Sequence, residues 1–67
     1  MTFQRIRDLR EDHDWKQGEV AEKIGVTQTT YSKYELGKIN IPVDMLIKLA
    51  DLYHVSLDYL VGRTDKR

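Results

Sequence analysis

The stretch from Gln17 to Gly37 constrains this chain more than any other. It reads QGEVAEKIGVTQTTYSKYELG. Val20, Ala21 and Ile24 fall on one face at helical spacing, and Tyr31 and Tyr34 repeat that spacing seven residues on. Between them, Gly25 stands where a helix needs a left-handed stop residue. Thr27 stands where a new helix needs an N-cap whose side-chain oxygen can accept a free backbone amide. Two short helices, Gln17–Ile24 and Gln28–Leu36, are therefore expected on either side of a tight Gly25-Val26-Thr27 turn. That unit has two readings: an αα-hairpin within any small bundle, or a helix-turn-helix that presents its second helix to DNA.

The rest of the chain must bury what this hairpin leaves open. Sixty-seven residues make one domain, and so short a chain needs an efficient core. There is no cysteine for a disulfide or a thiolate zinc site, and His13 and His54 are too few for a structural metal. No metal and no cofactor is expected, and stability must come from helix packing. No apolar run is long enough to span a membrane and no signal peptide opens the chain, so a cytoplasmic protein without membrane contact is expected. The formal net charge is zero, which gives no global attraction to nucleic acid. The distribution is uneven, however. Residues 23–48 hold four basic side chains (Lys23, Lys33, Lys38, Lys48) against Glu35 and Asp44, and this positive segment contains the second helix of the hairpin.

Read in order, Thr2 is placed to cap a first helix that runs to about His13, with Phe3, Ile6 and Leu9 as its apolar stripe. Arg10 falls on the same stripe, so its charge must be paired or must snorkel out. Trp15 is expected to plug the core between helices one and two; an exposed indole for base stacking is the alternative. Lys16 holds the N-cap position of helix two, although Glu19 is placed as the acid of a capping box. On helix three the two tyrosines point one way, and Thr29, Ser32 and Lys33 point the other, with Gln28 at the N-terminal end. Gly37 ends this helix, and the loop to Pro42 leads into helix four, about Val43–Tyr53. Helix four carries a broad apolar face of Val43, Leu46, Leu49, Ala50 and Tyr53, flanked by Met45, Ile47 and Leu52, which suggests burial from more than one side. Ser56 caps helix five, Leu57–Val61, with Val55 and Leu60 as a hydrophobic staple. Gly62 ends it, and a polar tail, 63–67, is expected to fray. The fold class is all-α, with one five-helix domain over 1–62.

These residues, in this order, resemble a known family. The segments RIRxLR from Arg5, QxEVAxxIGVT from Gln17, YSxYExGK from Tyr31, Pro42, LxxLA from Leu46 and VSLDYL from Val55 are similar to the Cro/CI-type (XRE) helix-turn-helix domain of phage repressors and bacterial regulators. The likeness covers about residues 3–62. It implies the compact lambda-repressor-like fold, with helix three in the major groove and helix two across the phosphates. It also implies roles for particular residues. Gln17 would grip a phosphate, and Gln28, Thr29 and Lys33 would read bases, with Ser32 on the same outward face. Lys38 and Asn40 would hold backbone phosphate, and Thr27 would cap helix three and touch phosphate. Glu35 is the implied partner of Arg10. This chain departs from the usual pattern at Lys16, where Ser or Thr is usual, and at Leu36, where Asn is common. A chain that stops just after helix five leads one to expect no induced switch.

The function expected is sequence-specific binding of double-stranded DNA by a transcriptional regulator, a repressor. It would act as a homodimer, at least on a roughly palindromic operator, with Leu57 and Tyr59 at the two-fold contact. The alternative is an antitoxin or accessory module that binds a protein partner through helices four and five. No catalytic set of Ser/His/Asp or Cys/His type, no phosphate-cradling glycine loop and no clustered acid pair is present, so no enzymatic activity is expected.

Overall fold

A computed structural model describes residues 3–67. Five helices follow one another: α1 (Gln4–Asp12), α2 (Gln17–Ile24), α3 (Gln28–Leu36), α4 (Val43–Tyr53) and α5 (Leu57–Leu60). Among the described residues there is no strand. The all-α, five-helix architecture is the one the sequence predicts. Thr2, expected to cap α1, lies outside the described residues. Phe3 holds the N-cap position of α1, with extended backbone and no side-chain cap.

The five helices end in the same way. A residue in the left-handed region follows the last turn, and the next amide reaches back to a carbonyl five residues earlier. Gly25 (φ 82°) and Gly37 (φ 73°) do this at α2 and α3, with Val26 N–H donating to Ala21 at 2.9 Å and Lys38 N–H to Lys33 at 3.0 Å. Glycine suits the position because no Cβ opposes a positive φ. At α1 and α4 the same place is taken by Asp14 (φ 56°) and His54 (φ 55°). Trp15 N–H then donates to Arg10 at 3.1 Å, and Val55 N–H to Ala50 at 3.0 Å. Gly62 completes the series at α5. In three of the five, the residue after the left-handed one is apolar and packs on the core: Trp15, Val26 and Val55. This is the hydrophobic contact that accompanies such C-caps.

The core is assembled from one face of each helix. Ile6, Val20, Tyr31, Leu49 and Leu60 are wholly buried, and Leu9, Ala21, Ile24, Tyr34, Leu46, Ala50 and Tyr53 nearly so. Each large aliphatic side chain buried in this way contributes about 1.5–3 kcal/mol. Trp15 is half-buried between α1, α2 and α4. Its ring lies 4.7 Å from that of His13 and 5.8 Å from that of Tyr53, with Lys23 Nζ 4.9 Å from its centroid.

Two expectations need correction. The broad apolar face of α4 is covered from one side only: Val43 is 65% exposed and Ile47 47%. Five short helices reach around only the Leu46–Leu49–Tyr53 side. The tail, expected to stand free, is docked on α1 and on the start of α5. Arg5 on α1 donates through its guanidinium to the carbonyls of Tyr59 (2.8 Å) and Thr64 and to the Asp65 carboxylate (2.7 Å), while Ser56 N–H donates to the Arg67 carbonyl at 2.9 Å. One half-buried arginine thus satisfies carbonyls that would otherwise face water alone.

The start of α2, like those of α1 and α4, has no side-chain cap on its free amides. Glu19 accepts a hydrogen bond from the Lys16 amide at 3.2 Å, which is half of a capping box. An ammonium has no lone pair to complete the other half, and its charge lies at the positive end of the helix dipole. Lys16→Ser is therefore expected to stabilise the protein by about 1 kcal/mol, read as a higher urea midpoint with an unchanged slope. An unchanged midpoint would mean that the free amides of α2 lack nothing a serine can supply.

Candidate nucleic-acid interface

The outward face of α3 and the start of α2 meet in one open groove. Tyr31 and Tyr34 root α3 in the core with their rings edge to face at 6.5 Å. That anchoring turns Thr29, Ser32, Lys33 and Leu36 outward. Gln17 from the first turn of α2, Gln28 from the first turn of α3 and Lys38 from the loop after it complete the lining of a groove of about 410 Å³. Six of the eight residues expected to bind DNA thus converge: Gln17, Gln28, Thr29, Ser32, Lys33 and Lys38. Thr27 and Asn40 lie outside this groove. Thr27 is the N-cap of α3: its Oγ1 accepts from the Thr30 amide at 3.2 Å and its hydroxyl donates to Thr30 Oγ1 at 3.0 Å. Asn40 is exposed in the α3–α4 loop.

The face is locally positive although the chain is neutral. Among the described residues the ion pairs are Arg5–Asp65, Arg7–Glu11 and Arg10–Glu35. Lys16, Lys33 and Lys38 take no part in them. Two uncompensated ammonium groups, Lys33 and Lys38, on a groove of amides and hydroxyls, with Lys16 next in sequence to Gln17, match a polyanion that also displays hydrogen-bonding edges.

Beneath the groove lies its structural anchor. Arg10 donates to both oxygens of Glu35, Nε to Oε2 at 2.7 Å and Nη2 to Oε1 at 3.1 Å, and Nη1 donates to the Trp15 carbonyl at 3.0 Å. The Arg10 side chain is 14% exposed and that of Glu35 4%. Gln17 Nε2 donates to the same Glu35 Oε1 at 3.1 Å. One carboxylate therefore joins α1, the start of α2 and the end of α3. Burial alone would raise the Glu35 carboxyl, but the hydrogen bonds from Arg10 and Gln17, the nearby Tyr31 hydroxyl and the Arg10 charge outweigh it and hold the group below the ordinary carboxylate value. Tyr31 and Tyr53 bring buried hydroxyls up to this cluster without a hydrogen bond of normal geometry. Desolvation raises both phenols; after it comes the approach of the Glu35 carboxylate and its charge for Tyr31, and the Glu35 charge for Tyr53, which is raised to about 12, so both stay neutral.

Three features of the site were not legible in the sequence. The Gln17–Glu35 bond joins residues eighteen apart, and no local pattern marks it. Gly18 lies under Gln28: a Cβ there would come within 3.1 Å of Gln28 Oε1, so the absent side chain leaves room for that amide. Leu36 belongs to the groove, and its position seven residues after Thr29 was the available signal.

Comparison with known proteins agrees with this geometry. A sequence profile of the helix-turn-helix family matches residues 6–60. An uncharacterised HTH-type transcriptional regulator of Bacillus subtilis, YobD, is 45% identical over 65 residues, which is 97% of this chain and 58% of that protein. The cryptic phage CTXphi transcriptional repressor RstR of Vibrio cholerae is 40% identical over 65 residues, 97% of this chain and 59% of that one. The chain thus spans a little under three-fifths of these curated relatives. Among solved structures, a transcriptional regulator from Listeria innocua superposes with a TM-score of 0.84 at 30% identity, over 98% of this chain and 63% of that one. The P22 c2 repressor, crystallised with a synthetic operator, gives 0.84 at 23% identity over 96% and 98%, a likeness of fold. The chain belongs to the helix-turn-helix family.

The Arg10–Glu35 pair lies near the rim of the core, so breaking it is expected to cost about 3 kcal/mol, the lower end for a buried pair. Urea melts of Arg10→Met and Glu35→Gln should each show this, and the double variant should lose less than the sum of the two. The depressed Glu35 carboxyl also sets a pH signature. Its contribution is complete above the ordinary value of 4.5 and is lost as pH falls through the lower folded value. Stability should therefore decline on acidification below about pH 4.5 in the wild type, and Glu35→Gln should lack that component. Parallel acid profiles for the two proteins would refute this.

Proposed function

We propose that this helix-turn-helix protein is a transcriptional regulator that binds double-stranded DNA sequence-specifically and represses by occupying its operator. The observation that carries the reading is the single groove that gathers Gln17, Gln28, Thr29, Ser32, Lys33 and Lys38 on the face of α3 opposite its two anchoring tyrosines. A Gln amide pairs in two-pronged fashion with adenine N6 and N7, a Thr methyl packs on a thymine methyl, and a Lys reaches guanine O6 and N7. We assign Gln28, Thr29 and Lys33 to base edges, with Ser32 beside them. Gln17, Thr27, Lys38 and Asn40 are assigned to phosphates. The names of the relatives, which include a transcriptional repressor, support the regulatory role, and a cytoplasmic location follows from it.

One module of this size offers few contacts, so two copies on a roughly palindromic site are part of the proposal. Leu57, 37% exposed at the start of α5, is the apolar residue assigned to the two-fold contact. Tyr59 is assigned beside it, although Arg5 and Arg67 already cover its ring at 4.1 and 5.4 Å. A second reading, a protein-binding module, draws on Val43 and Ile47, which lie one turn apart on the uncovered side of α4. Co-purification with a protein partner and no affinity for duplex DNA would favour that reading.

Selection of bound duplexes from a random pool supplies the operator, and two variants then separate the roles. Gln28→Ala should cost about 1–3 kcal/mol on the best site and relax preference at one base pair per half-site. Lys38→Ala should weaken specific and random duplexes alike and reduce the salt slope by about one. A uniform loss from Gln28→Ala would remove it from the base-reading set. For assembly, sedimentation should show two subunits per operator, with Leu57→Asp shifting the complex toward one. A strict monomer on its operator would refute the dimer.

A further inference from the structure

One groove residue has chemistry unlike the rest. Leu36 is 62% exposed, yet it lines the same surface as Gln28, Thr29, Ser32, Lys33 and Lys38. It adds little to the subunit's own core. Its position on α3 is regular: Thr29, Ser32, Lys33 and Leu36 stand at i, i+3, i+4 and i+7, a single stripe along the outward face. At 1.5 Å rise per residue, Leu36 lies about 10 Å beyond Thr29 along the helix axis. Side chains so far apart address different base pairs.

We propose that Leu36 is a specificity residue that packs against the C5-methyl group of a thymine. The inference rests on the reading that α3 enters the major groove. The major-groove edges of the four base pairs display donors, acceptors and one apolar group, the thymine methyl. A leucine can satisfy only that one. Set against a guanine or cytosine edge, it would strip water from polar atoms and return no hydrogen bond. Lys33, one turn before it, and Lys38, two residues after it, lie along the same groove. Lys38, assigned above to phosphate, supplies the charge that draws in the backbone, and Lys33, assigned to a base edge, enters the groove beside Leu36, so the leucine is carried to the groove floor instead of remaining in water. Leu36 thus selects thymine by a favourable apolar contact and rejects cytosine by leaving its amine unpaired. This is a base pair distinct from the one that Thr29 meets.

Uracil differs from thymine by that methyl alone, which makes the test direct. Starting from the best-bound duplex, each dT is replaced in turn by dU, and affinity is measured for wild type, Leu36→Ala and Thr29→Ser. Burial of one methyl is worth about a fourfold change in affinity. The wild type should lose about that factor at one dT per half-site. Leu36→Ala should show no loss at that position while keeping the loss at any dT that is silenced in Thr29→Ser. A urea midpoint for Leu36→Ala equal to that of wild type would show that the exposed side chain acts on DNA and not on folding. If dU sensitivity is the same in wild type and Leu36→Ala at every position, the proposal is overturned while major-groove reading by α3 stands. If the wild type enriches no sequence at all, both fail together.

Discussion

A single buried carboxylate holds this protein's working surface to its scaffold. Glu35 closes α3 and accepts from Arg10 on α1 and from Gln17 at the start of α2. Removing any one donor leaves charge in a site that is 4% exposed at the acceptor. Desolvating a carboxylate costs several kcal/mol, and such a pair approaches balance only when hydrogen bonds meet its remaining lone pairs. Here Gln17 meets one of them. An apolar replacement of the pair could fold as well, so net stability alone does not explain it. What a bidentate arginine adds is direction: it fixes the angle at which α3 leaves the core, and through Gln17 it fixes the first turn of α2 relative to α3. Gln17 and the outward face of α3 are thereby held in one frame.

The second constraint is the way the helices stop. Five helices of four to eleven residues are too short to be stable alone, so tertiary contacts must begin at once beyond each end. After α1, α2 and α4 the left-handed residue achieves this by reversing the chain so sharply that the next residue returns to the core. Trp15, Val26 and Val55 are those returning residues, and Val55 is the most buried of them. Asp14 and His54 occupy a conformation that glycine enters more easily. They hold it because the backward hydrogen bond and the packing of Trp15 and Val55 over-determine the turn.

Where local chemistry decides, the sequence was readable. Apolar spacing, Gly25, Thr27 and Gly37 bound α2 and α3 at the residues where they are found, and Ser56, whose side chain accepts from the Tyr59 amide at 3.0 Å, starts α5 as expected. Asp14 and His54 were opaque because neither residue type announces a positive φ. The α4 face misled for a different reason. Apolar spacing shows which side chains would favour burial but not how much protein is available to bury them, and Val43 and Ile47 remain outside. The docked tail was hidden in a long-range contact, since nothing near Asp65 in the chain points to Arg5. Most of the candidate interface was legible because it depends on i, i+3 and i+4 spacing. Gln17's tie to Glu35 was not, because it depends on how two helices cross.

Two local rules fail together at the beginning of α2. Lys16 leaves the helix without a side-chain cap, and Gly18 places a poor helix former in its first turn. A missing cap costs about 1 kcal/mol and an interior glycine about 0.5–1 kcal/mol, a large share of the stability of a chain this small. Both departures sit beside the groove. The bare first turn leaves backbone amides and a positive dipole end open to an anion, and Lys16 adds a charge of the same sign. Gly18 leaves space beneath Gln28 that a methyl group would take. Local violations of this kind concentrate at functional surfaces. A sequence selected for stability alone would carry Ser or Asp at position 16 and Ala at position 18. It carries Lys and Gly instead, on either side of Gln17, the residue that joins the buried anchor to the groove.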